Sequence, residues 1–582
     1  MKYLNRFYQT AFLIVLFAAF FLPPLKMQAA APEVQDGGIG NTTNHAQLIS
    51  VNQKKVNEII YPLLSTPAIK KQGTSLTIKV DTHGKSPSNW KVSLKSLEQS
   101  PVQKEYSLPV TSSRQTSSYW KKDGTIYDVT VGIPSNVPEQ LYDLAISYTA
   151  NGTATSDTQA HAVKVVNDFK KDFSFIHLTD IHVASPRNLV KPEYSKEAGY
   201  WNPDPGQRWL YLQKTIKEIN LQKPDFVVLS GDLVFGQMNP GEYKYEYEEV
   251  YKMLKKLSVP VYLVPGNHDG YAQDLTLTDG LKYWNDYFGP HYFSFDYGPY
   301  AHFVGLNTFD WDKIDRSGNG TVSVPTWGGQ VRDEQLQWMK DDLAKNAASA
   351  PAGQLSAVLA HNNPLHQDRD IWPADDPEVQ TYWKEYDRQH NPQTPANLAL
   401  GEKLGLKYDQ LWHGENAQQV IDTMKQYNVT LGLHGHTHKD QIDNRNGLLF
   451  ATTTSIELTG DPWIGYRTFH MNNGALDSSY IYEGTDRSLP VYQEGNTAAG
   501  VMSFQADFSA PNDGTAADQT ATVTNRLNRP ITVSVPFYMK SGVYKTTAGT
   551  LNQIDEKDGK QEMEVKLTIP SNSSQSVTVS PS

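Results

Sequence analysis

Apolar and polar residues alternate in short runs from Gly73 to Val166. Leu76, Ile78 and Val80 make one run and Tyr142, Leu144, Ile146 and Tyr148 another, with turn-rich stretches at 85–89 and 133–138. A side-chain period of two predicts half-buried strands. No helical period interrupts them, so residues 73–168 are expected to form a β-sandwich of immunoglobulin-like size. Residues 32–72 read as a polar lead-in. At Phe173 the pattern changes. A near-continuous apolar run at 173–178 and apolar runs at 226–229 and 261–264 are separated by helical spacing, first Trp209, Leu212, Ile216 and Ile219, then Tyr247, Val250, Tyr251, Leu254 and Leu257. Further strands are expected at 301–306, 357–359, 430–433, 448–452 and 466–471. Further helices are expected around Leu336, Met339 and Leu343, and around Val420, Met424 and Tyr427. Strands apolar on both faces, alternating with amphipathic helices, predict an α/β domain over 169–484 with helices covering both sides of its sheet. Residues 484–496 read as a linker. Alternation then returns in Met502, Phe504, Ala506 and Phe508 and in Ile531, Val533, Val535 and Phe537, predicting a second small β-sandwich over 497–582.

A length of 582 residues fits this three-domain reading. With 11% aromatic and 20% charged residues the composition supports real cores and excludes a disordered chain. A net charge of −11 argues against a specific nucleic-acid partner, which calls for a basic face. Cysteine is absent, so any metal must be held by nitrogen and oxygen. The first 31 residues read as a signal peptide. Lys2 and Arg6 precede a short apolar run at 11–22, Pro23 and Pro24 break it, and Ala29, Ala30 and Ala31 offer a cleavage site. The apolar run is shorter than the roughly 20 residues a spanning helix needs. The mature chain is therefore expected to be secreted, extracellular and without a transmembrane segment.

The chemistry concentrates in five clusters of the central domain, each just after an expected strand: Asp180-Ile181-His182, Gly231-Asp232, Gly266-Asn267-His268-Asp269, His361, and Gly435-His436-Thr437-His438. In α/β sheets ligands bind where loops leave the carboxyl ends of strands. Carboxylates, imidazoles and one amide suit Zn, Mn or Fe as divalent ions. Two such ions about 3.5–4 Å apart would share a bridging carboxylate and a bridging hydroxide. In this order and placement the clusters resemble the calcineurin-like metallophosphoesterase superfamily, in its phosphodiesterase-like branches, across roughly 173–483. The resemblance implies a four-layer α/β/β/α fold with two mixed sheets. It also implies one metal held by Asp180, His182, Asp232 and His438, and a second by Asp232, Asn267, His361 and His436. His268 would be a catalytic non-ligand facing the leaving group, with Asp269 orienting it. Purple acid phosphatases usually have Gly in place of His182 and a metal-binding Tyr in place of Phe235. Extracellular 5′-nucleotidases typically follow the Asn-His pair with Glu-Phe, where this chain has Asp269 and Gly270.

With the resemblance, these residues lead to a metal-dependent phosphoric ester hydrolase, a phosphodiesterase or phosphatase with the diester reading favoured over the monoester, acting on a phosphorylated small molecule or polymer. The metals leave the site net positive despite the acidic chain, and they lower the pKa of water toward about 7. Two insertions, 183–206 and 362–412, are long enough to be binding loops and contain Arg187 and Arg369 as candidate substrate contacts. Asn307, after the strand at 301–306, is a third. The competing reading is a non-catalytic cell-surface or wall-binding protein whose sandwiches carry the function.

Overall fold

The computed structural model describes residues 54–183, 209–235, 243–270, 281–311, 328–366, 412, 414–457, 463–493 and 502–582. The expected signal peptide and both candidate arginines, Arg187 and Arg369, lie outside them.

The central region contains, in chain order, strands β1 (Ser174–Leu178), β2 (Phe226–Leu229), β3 (Val261–Leu263), β4 (Phe293–Tyr297), β5 (Ala301–Leu306), β6 (Leu355–Ala360), β7 (Leu431–His434), β8 (Gln441–Arg445), β9 (Leu448–Thr452), β10 (Trp463–Asn472), β11 (Ala475–Leu476) and β12 (Leu489–Gln493). Its main helices are α1 (Leu210–Gln222), α2 (Tyr243–Leu254), α3 (Lys282–Tyr287), α4 (Asp333–Ala347) and α5 (Ala417–Gln426). One six-stranded sheet has the order β3-β2-β1-β10-β11, with β12 also on β10; the other runs β4-β5-β6-β7-β9-β8. Both are mixed. β1, β2 and β3 are parallel and β10 antiparallel to β1, while β5, β6, β7 and β9 are parallel between antiparallel edges.

The uninterrupted apolar runs reflect this layering. Successive side chains of a strand point to opposite faces. In β2, Phe226 and Val228 enter the core between the sheets, and Val227 and Leu229 enter the core beneath α1 and α2. In β6, Ala357 and Leu359 face the inter-sheet core, and Val358 and Ala360 face α4 and α5. Helix, sheet, sheet and helix thus stack in four layers.

The N-terminal region is two β-sheets, of four and five strands, around one core. It starts earlier than the pattern suggested. Ile59–Tyr61 pairs antiparallel with Ser75–Asp81, and Ala68–Lys71 pairs in parallel with Thr153–Val166. Strands of three and four residues around Pro62 and Pro67 are too short to display a period. The expected linker also contains structure, because β12 pairs with β10. The C-terminal region has a four-stranded and a three-stranded sheet. It docks on α1, where Glu218 accepts from Ser503 N at 2.7 Å and from the Tyr466 hydroxyl at 3.0 Å.

Candidate metal centre

β1, β2, β3, β6 and β7 all end at one edge of the paired sheets, and the loops that follow carry the five clusters. The backbone there is strained. Asp180, His182, Asp232, His436 and His438 have φ of 50°, 37°, 54°, 69° and 57°. A residue with a Cβ gives up about 1–2 kcal/mol in this left-handed region, and such residues gather where function over-determines the backbone. Gly266 is required by close approach. A Cβ there would lie 2.6 Å from the Asp232 backbone nitrogen and against its carboxylate.

Two groups of donors result. One ligand atom each from Asp180, His182, Asp232 and His438 lie within 4.8 Å of one another, and so do those of Asp232, His361 and His436, with Asp232 common to both. His182 Nε2 and His361 Nε2 lie 3.1 and 3.2 Å from Asp232 Oδ2, and His438 Nε2 lies 3.1 Å from Asp180 Oδ1. Asn267 Oδ1 is 3.1 Å from His361 Nε2, beside the second group.

The far nitrogen of His361 is hydrogen-bonded, and that of His182 sits beside a carboxylate without well-formed hydrogen-bond geometry. His361 Nδ1 donates to Ser230 O at 2.6 Å, and His182 Nδ1 lies 2.9 Å from Glu457 Oε1. Each neutral ring therefore turns an Nε2 lone pair toward a carboxylate at hydrogen-bond distance, which is repulsive unless a cation or proton lies between. Burial alone would lower His182 and His361, but the Glu457 and Asp232 carboxylates lift His182 to about 10, and Asp232 and Asp180 lift His361 to about 9. Burial opposes ionisation of Asp232 too, yet His361 and His268 hold it well below the usual carboxylate range. Burial lowers His436 to about 3, leaving it neutral. Asp180 Oδ1 is buried without a well-formed hydrogen bond, while Oδ2 accepts from Thr179 Oγ1 at 2.6 Å and His436 N at 3.0 Å. This set of buried carboxylates and lone pairs fits divalent cations.

His268 stands outside both groups. Its Nδ1–H donates to Phe235 O at 2.6 Å, its backbone N donates to Asp232 Oδ1 at 2.9 Å, and Nε2 is 4.0 Å from Asp232 Oδ2. The Phe235 carbonyl thus orients the ring. Asp269, expected in that role, instead fastens loops: Oδ1 accepts from Leu233 N and Val234 N at 2.9 and 3.2 Å, and Oδ2 from Gly266 N at 2.8 Å. Burial, and after it the Asp232 charge, push Asp269 up to about 7. Asn307 is 2% exposed and its Oδ1 accepts from Phe309 N at 2.9 Å, closing its own turn. His177 is a strand-core residue between Ser230 Oγ and Thr453 Oγ1, each at 2.8 Å.

Glu457 was missed in the sequence. It lies beyond the last cluster in no motif, and its one signal is an acidic side chain inside the apolar and hydroxyl run 450–458.

Strand-end donors in pairs on a two-sheet α/β/β/α domain define a metallophosphoesterase-type centre. Residues 173–440 match the family model for calcineurin-like phosphoesterases. Over 150 residues the chain is 25% identical to a "Probable cyclic nucleotide phosphodiesterase" of Coxiella burnetii (strain RSA 493 / Nine Mile phase I), covering 25% of this chain and 51% of that protein. The chain thus spans about half the length of this curated relative. Among solved structures it is similar to a purple acid phosphatase from yellow lupin (Lupinus luteus) seeds, with TM-score 0.37, 14% identity and coverage of 71% of this chain and 72% of that one. It is also similar to a cold-active protein-tyrosine phosphatase of a psychrophilic Shewanella species, with TM-score 0.22, 10% identity and coverage of 57% and 92%. No helix among the described residues is long and apolar enough to cross a membrane.

Proposed function

We propose that the chain is a hydrolase of phosphate esters that works with two divalent metal ions and prefers diesters to monoesters. The observation that carries this reading is the pair of donor groups sharing Asp232. Asp180, His182, Asp232 and His438 would hold one ion, and Asp232, Asn267, His361 and His436 the other. When bound, the ions supply positive charge to a phosphoryl group and acidify water to a nucleophile near neutral pH. His268 supplies the proton. Its Nδ1–H is committed to the Phe235 carbonyl, so in the imidazolium form the Nε2 proton is the one that would pass to the departing oxygen, a contribution of about 10²–10⁴ in rate. Ser230 O fixes the tautomer of His361, and the Glu457 carboxylate 2.9 Å from His182 Nδ1 favours a proton on that nitrogen, so that each ring offers Nε2 outward. The diester preference draws support from the name of the Coxiella burnetii relative. Arg187 and Arg369 belong to the proposal as substrate contacts.

The proposal extends to an exported enzyme with immunoglobulin-like flanking sandwiches. Export rests on the pattern of Lys2, Arg6 and the apolar run at 11–22. A mature protein whose first residue is Met1 would overturn it. For the activity, metal content is measured alongside turnover of bis-p-nitrophenyl phosphate and p-nitrophenyl phosphate. Two equivalents of metal and faster diester hydrolysis are expected. A fully metallated protein that hydrolyses neither ester overturns the reading.

A further inference from the structure

Far from the strand-end cluster, the N-terminal sheets, the central domain and the C-terminal sheets meet around a cavity of about 520 Å³, adjoined by a second of about 200 Å³. Four lysines from three regions line the larger one. Lys164 comes from the N-terminal strand Thr153–Val166, Lys170 from the segment leading into β1, Lys223 from the end of α1, and Lys566 from the C-terminal strand Lys560–Ile569. Acidic residues are present as well, and each has at least one oxygen engaged elsewhere. Glu564 pairs with Lys223. Asp225 accepts from Ser174 N at 2.9 Å and the Tyr297 hydroxyl at 2.8 Å. Glu139 accepts from Asn167 N at 3.1 Å.

Lys164 is the informative member. It is 8% exposed, lines both cavities, and makes no side-chain hydrogen bond or ion pair with any described residue. A buried ammonium without a partner is costly, and a chain that keeps one beside a wet cavity keeps it for something that enters the cavity. Lys170 and Lys566 likewise have no ion pair among the described residues. The crowding registers electrostatically. Burial first, then Lys164, push Lys223 down to about 8, and burial lowers Lys164 against the pull of the Glu139 and Asp225 carboxylates, with Lys170 adding to the lowering.

We propose that this three-way junction is a binding site for an oxyanion, a phosphate or carboxylate group, held by Lys164 with Lys170 and Lys566 and separate from the metal centre. An anion there would join three regions through one ligand, so binding would also stiffen their arrangement. The group has two sources, a free small anion or the repeating anions of a polymer.

The test uses the full-length, metal-loaded protein, with inorganic phosphate and a polyphosphate chain as probes in calorimetry. Wild type is expected to show a binding class beyond the metal centre. Lys164→Met should weaken that class by about tenfold or more. Lys566→Gln, at an exposed position where folding is not at stake, should weaken it severalfold. Both variants should hydrolyse bis-p-nitrophenyl phosphate as wild type does. Preference for phosphate assigns the site to a free anion, and preference for polyphosphate to a polymer. Equal binding of both probes by wild type and the Lys566→Gln variant, or a single class lost on removing the metals, overturns the site.

Discussion

At their amino-terminal halves β1 and β2 carry Phe175 and Phe226, whose rings stack 5.3 Å apart within 1° of parallel. At their carboxyl ends the same strands lead into Asp180 and Asp232. The aromatic end is complete in itself. Phe469 stacks on Phe175 at 4.9 Å, and Phe303 of the facing sheet meets it edge-on at 5.2 Å, an arrangement that suits ring quadrupoles and leaves no polar group wanting. The other end has left-handed backbone, buried carboxylates and lone pairs facing oxygens. It is held in place by the first end and satisfied by a cation or, without one, by protons on His182 and His361. Stability and chemistry are thus segregated along single strands, a few residues apart.

That contrast can be broken at either end. The largest effect is expected from Asp232→Asn, which removes the shared ligand. Turnover of bis-p-nitrophenyl phosphate should fall by about 10³-fold or more, metal content should drop, and the chain should remain folded. An active variant would show that Asp232 is not shared. His268→Ala should lower turnover by about 10²–10⁴ with both metals retained, and loss of metal from that variant would make His268 a ligand. At the aromatic end, Phe226→Ala should cost about 3–5 kcal/mol in denaturant unfolding while turnover per folded molecule holds. An equal fall in activity would show that the two ends are not independent.

Smaller effects sharpen the comparison. Glu457→Gln keeps the shape but weakens the orienting contact at 2.9 Å from His182. Metal affinity should fall by about 10- to 100-fold, read by competition with a chelator. The last expectation is a pH dependence. Without metal, His182 titrates at about 10 and His361 at about 9, so both are protonated at neutral pH. Metal must displace those protons. Affinity should rise with pH up to about 9–10 and then level, with roughly one proton released per ion, seen as a buffer-dependent heat. For metal-free folding the sign reverses. Both values lie above the ordinary 6.5, so this stabilisation is complete below about 6.5 and lost as pH rises through 9 and 10.

The β1, β2 and β6 runs were legible because strands buried on both faces read as largely apolar stretches, and the five clusters because each follows such a stretch. Edges and supports were harder. β4, Phe-Ser-Phe-Asp-Tyr, is partly exposed and carries a mixed signal, and β12 is a short strand next to a turn-rich stretch. Asp269 and Asn307 were read as chemistry because polar residues after strands invite that reading. The same residues are favoured where a loop's own amides need acceptors, and a sequence does not distinguish the two uses. Glu457 shows the converse, a site residue whose partner lies 275 positions away (457 − 182) and whose motif is only spatial.

The bond from His436 N to Asp180 Oδ2 spans 256 positions of the chain. Both donor groups need residues beyond 430, so a nascent chain that has already formed β1, β2 and β3 owns only part of a cation site. Contacts of such long range form late, after the loop between them has closed. Metal capture would then report completion. A chain truncated before Leu431 would be a partial chelator at best, and uptake of the second ion during refolding should coincide with the slowest return of native structure.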